Sequence, residues 1–241
     1  MMKRGASLAF VMLIACGGSP PPEEGPMDHA AGHPGHHHGH HDGHHGQGHH
    51  HGFSDAERFA RIFDDPERDA WQMPEQVLEL LAIEPGMTVV DLGAGTGYFL
   101  PHLARAVGPE GRVIALDVEP NMVAHMQRRI AEAGWTNVEA QVAATDDPSL
   151  DPGSVDRILI VDTWHHIEGR ERYTARLREA LREGGTVTIV DFTRDSPQGP
   201  PPAMRLSAEA VVAELRAGGL EPAIREERLP YQWVVTAQAE R

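Results

Sequence analysis

Four groups of residues in this sequence could carry chemistry. In "VVDLGAGTGYF" (Val89 to Phe99) an acid, Asp91, ends an apolar run, and glycines follow at 93, 95 and 97. Alternating glycines suit a loop whose backbone something approaches closely. A second acid, Asp117, ends the apolar run of "ALDVEPNM", 20 residues after Gly97. In "VDTWHHIEGRERY" an acid and two histidines, Asp162, His165 and His166, follow a third apolar run, where an imidazole can act as general base. Finally, twelve histidines interleaved with glycine lie between His29 and His51. Among them His36, His37, His38, His40, His41, His44, His45, His49, His50 and His51 form a dense run of imidazoles suited to zinc, nickel or copper.

The phosphate readings of the glycine loop fail on inspection. A dinucleotide fingerprint needs Gly or Ala where Tyr98 stands, and a phosphate loop ends in Gly-Lys-Ser/Thr, whereas Lys3 is the only lysine.

These residues need a scaffold, and the periodicity of residues 53–241 supplies one. Apolar runs at Met87–Val90, Arg112–Leu116, Val138–Val142, Arg157–Val161 and Thr186–Val190 read as buried strands. Amphipathic helices alternate with them: Val77, Leu78 and Leu81 share a face in a helix that stops at Gly86, as do Met122, Met126 and Ile130, and Tyr173, Leu177 and Leu181. "SDAE" (Ser54 to Glu57) reads as a capping box opening a helix that breaks before Pro66. Ser207 to Ala217 is a further helix, and the two strand-like stretches flanking Pro230 can pair only antiparallel. The expected fold is α/β: a Rossmann-like, doubly wound, mostly parallel seven-stranded sheet with a C-terminal antiparallel strand pair. Ligands of such sheets bind beyond the carboxyl ends of the strands, where the strand order reverses, and the glycine loop falls there.

"DLGAGTG" is similar to the first motif of class I S-adenosylmethionine-dependent methyltransferases, D/E-x-G-x-G-x-G, and the resemblance runs from about Trp71 to Thr236. It implies that Gly93, Ala94, Gly95 and Gly97 pass the methionyl part of the cofactor, with Asp91 accepting from its ammonium. Asp117 then takes the ribose hydroxyls, with Val118 beside it, or else caps the turn into the Pro120 helix. Met122 lies against the adenine, a place its spacing also suits for a core residue. The acid that often binds the adenine amino group is replaced by Ala143 and Ala144, so Asp146, or Asp147, takes that part or simply forms the turn before Pro148. A similar His-His stretch faces the transferred methyl in many small-molecule members. It implies His165 (or His166) as base, with Asp162 the other catalytic candidate; the alternatives are a structural histidine and a capping aspartate. The absence of an N-P-P-Y stretch after this strand speaks against methylation of base or amide nitrogens. "RDAWQMP" (Arg68 to Pro74) can form a lid through Trp71, or Trp71 covers the core.

The rest of the chain bounds the setting. "MMKRGASLAFVMLIACGGS" has a basic start, an apolar stretch too short to cross a bilayer, and an end, Leu13 to Cys16, that resembles the bacterial lipobox. Residues 1–15 are thus expected to be a lipoprotein signal peptide. Cys16, the sole cysteine, is the lipidation site that anchors the exported protein to a membrane of the bacterial cell envelope. Residues 16–52, rich in Pro, Gly, acid and His, read as a disordered tether. A formal charge of −15 with no basic cluster, and 5% aromatic residues, exclude a nucleic-acid surface. With a single cysteine, thiol-dependent arsenite methylation is not expected. Two functions follow. The first is methyl transfer from S-adenosylmethionine to a small molecule. The second is a non-catalytic ligand-binding module of the same fold on a metal-binding tether, prompted by export away from the cytoplasm, where that cofactor is made.

Overall fold

The computed structural model describes residues 56–239. The leader, Cys16, the histidine tract and Ser54 of the capping box lie outside the described residues. Three short helical pieces come first: α1 (Ala56–Phe63), a 3-10 turn (Pro66–Arg68) and α2 (Asp69–Gln72). There follow α3 (Pro74–Leu81), β1 (Thr88–Leu92), α4 (Leu100–Val107), β2 (Arg112–Asp117), α5 (Pro120–Ala133), β3 (Val138–Val142) and β4 (Val155–Val161). A 3-10 turn (Trp164–His166), α6 (Arg170–Ala180), β5 (Leu181–Phe192), a further 3-10 turn (Pro202–Met204), α7 (Ala208–Ala217), β6 (Leu220–Ile224) and β7 (Gln232–Ala239) complete it.

The strands form one seven-stranded sheet in the order β3-β2-β1-β4-β5-β7-β6. β1 to β5 run parallel, and β7 pairs antiparallel with both β5 and β6. The sheet is therefore the doubly wound, mostly parallel one expected, with the antiparallel pair at one edge. Its order reverses between β1 and β4, so the carboxyl ends of those strands frame the crevice.

Side chains alternate between two cores, as the period of a strand dictates. Along β4, Ile158 and Ile160 enter the core under α6 and α7, with Tyr173, Leu177, Val211 and Leu215. Leu159 and Val161 enter the other, under α3, α4 and α5, with Val77, Leu103, Val123 and Met126. β1 repeats the pattern, Val89 on the second side and Val90 and Leu92 on the first, so Asp91 belongs to the α4 side.

Helix ends follow their caps. Pro120 opens α5, which stops at left-handed Gly134, and Ser207 caps α7 by accepting from the Ala210 amide at 3.2 Å. Two boundaries differ from the sequence reading. α3 ends at Ala82, itself left-handed at φ 48°, and not at Gly86, whose amide bonds the Val107 carbonyl. Leu181 is buried as its helical spacing requires, yet it starts β5 by pairing with Val155, ahead of a register shift.

Candidate active site

The carboxyl ends of β1, β2, β4 and β5 bring Asp91, Asp117, Asp162 and Asp191 to one end of the sheet. The glycine loop is shaped first by the protein itself. All three motif glycines have positive φ, 74° at Gly93, 58° at Gly95 and 83° at Gly97. A Cβ on Gly93 would sit 2.3 Å from the Thr163 side chain, and one on Gly97 would sit 2.7 Å from Leu100. Only Gly95 is free of such a clash, its nearest neighbour being the Phe63 ring at 3.7 Å. Two of the three glycines are thus required by the next helix and by the loop after β4, whatever ligand passes them. Ala94 is half-buried against the α4-side core.

Asp117 holds this loop. Its Oδ2 accepts from the Gly95 amide at 2.8 Å and its Oδ1 from the Glu119 amide at 2.9 Å. Burial raises its pKa against the pull of those amides. The turn-capping contact considered from the sequence is therefore present, and a carboxylate keeps lone pairs for further donors. Beside it Val118 is 46% exposed, and Val142, which pairs with Asp117 across the β2–β3 register, is 54% exposed. Met122 is buried on the first turn of α5. The Asp146 side chain is 67% exposed and lies 3.7 Å from Arg172. Asp147 accepts from the Ser149 amide at 2.7 Å, forming the turn around Pro148.

Asp91 is buried and its Oδ2 has no hydrogen-bond partner. Desolvation pushes its pKa up to about 7, with Arg68 pulling it down and Asp117 adding to the rise. A buried orphan acceptor of this kind calls for a donor from a ligand.

Asp162 stands at the tip of β4 with left-handed backbone, φ 53°. It does not cap the following turn. Instead its Oδ1 accepts from Gln232 at 2.7 Å, and its Oδ2 lies 3.7 Å from the Arg68 guanidinium. Burial raises its pKa to about 7, opposed by Arg68 and helped by Asp191. The chain of contacts continues inward: Gln232 accepts from Gln72 at 2.9 Å, and Gln72 accepts from Arg68 at 2.9 Å.

The His165 side chain is only 2% exposed and turns onto Asp191, with Nδ1 at 2.9 and 3.0 Å from the two carboxylate oxygens. Asp191 also accepts from the Phe192 amide at 2.8 Å. A carboxylate accepts, so the Nδ1–H tautomer suits this contact and would leave a lone pair on Nε2. The His166 ring lies against that of His165, centroids 4.1 Å apart. Trp71 is half-buried over the ends of β5 and β7, 5.9 Å from the Phe192 ring and 6.4 Å from that of Tyr231.

The sequence reading missed Arg68, Gln72, Asp191 and Gln232. Asp191 carried a signal, since an acid closing the apolar run of the fifth strand repeats the pattern of Asp91 and Asp117. The two glutamines carried none, because only the fold brings positions 72 and 232 together. Among the described residues no group of three or more His, Cys, Asp or Glu is arranged to hold a metal, and no helix is long and apolar enough to cross a membrane.

Comparison with known proteins agrees with this geometry. Residues 89–185 match a family described as "Methyltransferase domain". The chain is 27% identical over 172 residues to nocamycin O-methyltransferase of Saccharothrix syringae, covering 71% of this chain and 58% of that protein. It is 30% identical over 116 residues to an arsenite methyltransferase of Halobacterium salinarum, covering 48% of this chain and 30% of the relative. It thus spans less than two thirds of these curated relatives. Among solved structures, an S-adenosylmethionine-dependent methyltransferase from Aquifex aeolicus superposes with a TM-score of 0.70 at 29% identity, covering 76% of this chain and 97% of that one. Residues 89–185 thus match the methyltransferase-domain family, and the seven-stranded sheet shares its fold with the Aquifex aeolicus S-adenosylmethionine-dependent methyltransferase.

Proposed function

We propose that the protein transfers a methyl group from S-adenosylmethionine to a small molecule bearing an ionisable hydroxyl. The observation that carries the cofactor assignment is Asp91, a buried carboxylate beneath the glycine loop with an acceptor atom left unpartnered. The residues fit the group. Asp91 would take its ammonium, Asp117 its ribose hydroxyls, and the exposed pair Val118 and Val142 offers an apolar ledge for its base. Bound there, the cofactor supplies an electrophilic methyl on a sulfonium.

The chain's own part is to position the acceptor, exclude water and take a proton. His165 would accept the hydroxyl proton at Nε2, while Asp191 fixes the tautomer and stabilises the imidazolium that forms. Asp162, held by Gln232, would orient the acceptor. The similarity to an O-methyltransferase is in keeping with this class of acceptor, and the single cysteine of this sequence speaks against the thiol-dependent chemistry of arsenite. The leader and Cys16 support, as part of the same proposal, an exported protein anchored to the cell envelope by lipid, with a histidine tether that binds zinc, nickel or copper.

The test is formation of S-adenosylhomocysteine from S-adenosylmethionine in the presence of simple phenols and alcohols. Turnover should depend on the acceptor and fall about 10²–10⁴-fold in His165→Ala, the usual worth of a general base, with cofactor binding kept. Binding without turnover on any acceptor would favour the non-catalytic module.

A further inference from the structure

Residues 56–72 lie against the glycine loop without joining either core. Of this stretch only Ala56 and Gln72 are buried, with Phe59 and Phe63 half-buried and stacked on each other at 5.3 Å. Polar ties hold it down. Thr96 of the loop donates to Asp64 at 3.0 Å, and Arg129 of α5 donates to the other oxygen of Asp64 at 3.2 Å and to the Thr96 carbonyl at 2.7 Å. The Tyr98 hydroxyl donates to Asp69. Between these ties Arg68 turns inward. Its guanidinium donates to the Phe63 carbonyl at 3.0 Å and to Gln72 at 2.9 Å, lies 4.1 Å over the Tyr98 ring, and reaches within 3.7 Å of Asp162.

Two features make this arrangement more than a surface decoration. It lies beside the glycine loop and the buried acids: the Phe63 ring is 3.7 Å from where a Cβ on Gly95 would sit, and the Arg68 charge acts on buried Asp91 as well as on Asp162. Apart from Trp71, which packs near Phe192 and Tyr231, its fastenings at Asp64, Arg68 and Asp69 are hydrogen bonds and ion pairs, which exchange with water at far smaller net cost than a packed apolar face. Segments of that kind open locally while the core stays shut.

We propose that residues 56–72 are a gate over the cofactor site and that Arg68 is its latch, released from Asp162 whenever cofactor enters or product leaves. The proposal rests on the cofactor reading given above. Arg68 supplies the positive charge between buried Asp91 and Asp162. A ligand carrying its own cation competes with it for those acids, so arrival of the ligand weakens the latch that admits it.

Hydrogen exchange on the full chain without ligand tests the latch, and stopped-flow binding of S-adenosylhomocysteine tests the gate. In Arg68→Gln, amides of residues 60–72 should exchange at least tenfold faster, with those of β1, β4 and β5 unchanged. Association and dissociation of S-adenosylhomocysteine should both accelerate about fivefold or more, and Arg68→Lys should restore part of each effect. Unchanged exchange in residues 60–72, or acceleration spread through the sheet, would overturn the latch. Faster exchange with unaltered binding rates would overturn the gate. A parent protein that binds no S-adenosylhomocysteine would instead defeat the cofactor reading, and the exchange result would still decide whether Arg68 fastens the segment.

Discussion

Asp91→Asn separates what the site needs from what the fold prefers. An unfolded aspartate titrates near 3.8, whereas in the folded chain burial raises Asp91 to about 7. Between those values the native state holds a proton that the unfolded state has lost, so stability falls as pH rises. The slope is about 1.4 kcal/mol per pH unit, and the roughly three units accumulate to about 4 kcal/mol once the pH exceeds 7. This is an upper figure, because Arg68 acts on Asp91 and Asp162 together. Asparagine has nearly the same shape and no charge to bury. The variant should therefore match the parent at about pH 3, below both titrations, and exceed it at pH 8 by about 1 to 4 kcal/mol, while losing the ligand's ammonium partner and about 10²-fold in cofactor affinity. Urea unfolding followed by circular dichroism at the two pH values measures the first effect. A stability difference that is the same at both, or absent at pH 8, would refute the claim that Asp91 is a strained, buried carboxylate.

Three further predictions concern other parts of the chain. Gly93→Ala drives a methyl to 2.3 Å from Thr163 at a left-handed position and should cost about 2–4 kcal/mol in urea unfolding, whereas Gly153→Ala, at φ 60° with nothing within 4 Å, should cost about 1 kcal/mol. Cys16→Ser should accumulate as a precursor with its leader uncleaved, seen as a mass difference on whole-protein spectrometry; normal maturation would sink the lipobox reading. Deleting residues 29–51 should abolish most zinc uptake in equilibrium dialysis and leave thermal unfolding unchanged, and in the parent zinc should be lost as pH falls through about 6, because the ligating imidazoles must be neutral.

The strands were legible because both faces of a parallel sheet are covered, which leaves runs such as "ILIV" (158–161) wholly apolar. The antiparallel edge was legible from the short span between two strand-like stretches. Local sequence also located three of the four acids at the strand tips, Asp91, Asp117 and Asp162, since each interrupts or ends an apolar run. It could not tell how they are partnered. Asp162 was considered as a cap and is instead bound by Gln232, which lies 70 positions away. His165 was legible as a residue that could do chemistry, but the carboxylate that orients it comes from the end of another strand, 26 residues on. The gate was the least legible part. "RDAWQMP" drew attention to Trp71, the apolar residue, whereas the contacts that matter are made by Arg68, Asp69 and Gln72, whose partners are set by the tertiary fold.

The central claim, that this crevice holds S-adenosylmethionine, is tested most directly by calorimetric titration of the protein with that cofactor, alongside Asp117→Ala and Glu110→Gln. Asp117 would give the ribose hydrogen bonds to a charged acceptor, each worth roughly 1.5–3 kcal/mol. The account predicts saturable one-to-one binding by the parent, a loss on the order of 10²-fold or more in Asp117→Ala, and no change in Glu110→Gln, which lies in the turn before β2. Because Asp117 also holds the Gly95 amide, each variant is first shown to be folded by its near-ultraviolet dichroism. A parent that takes up no cofactor at millimolar concentration, or a folded Asp117→Ala that binds as tightly as the parent, would contradict it.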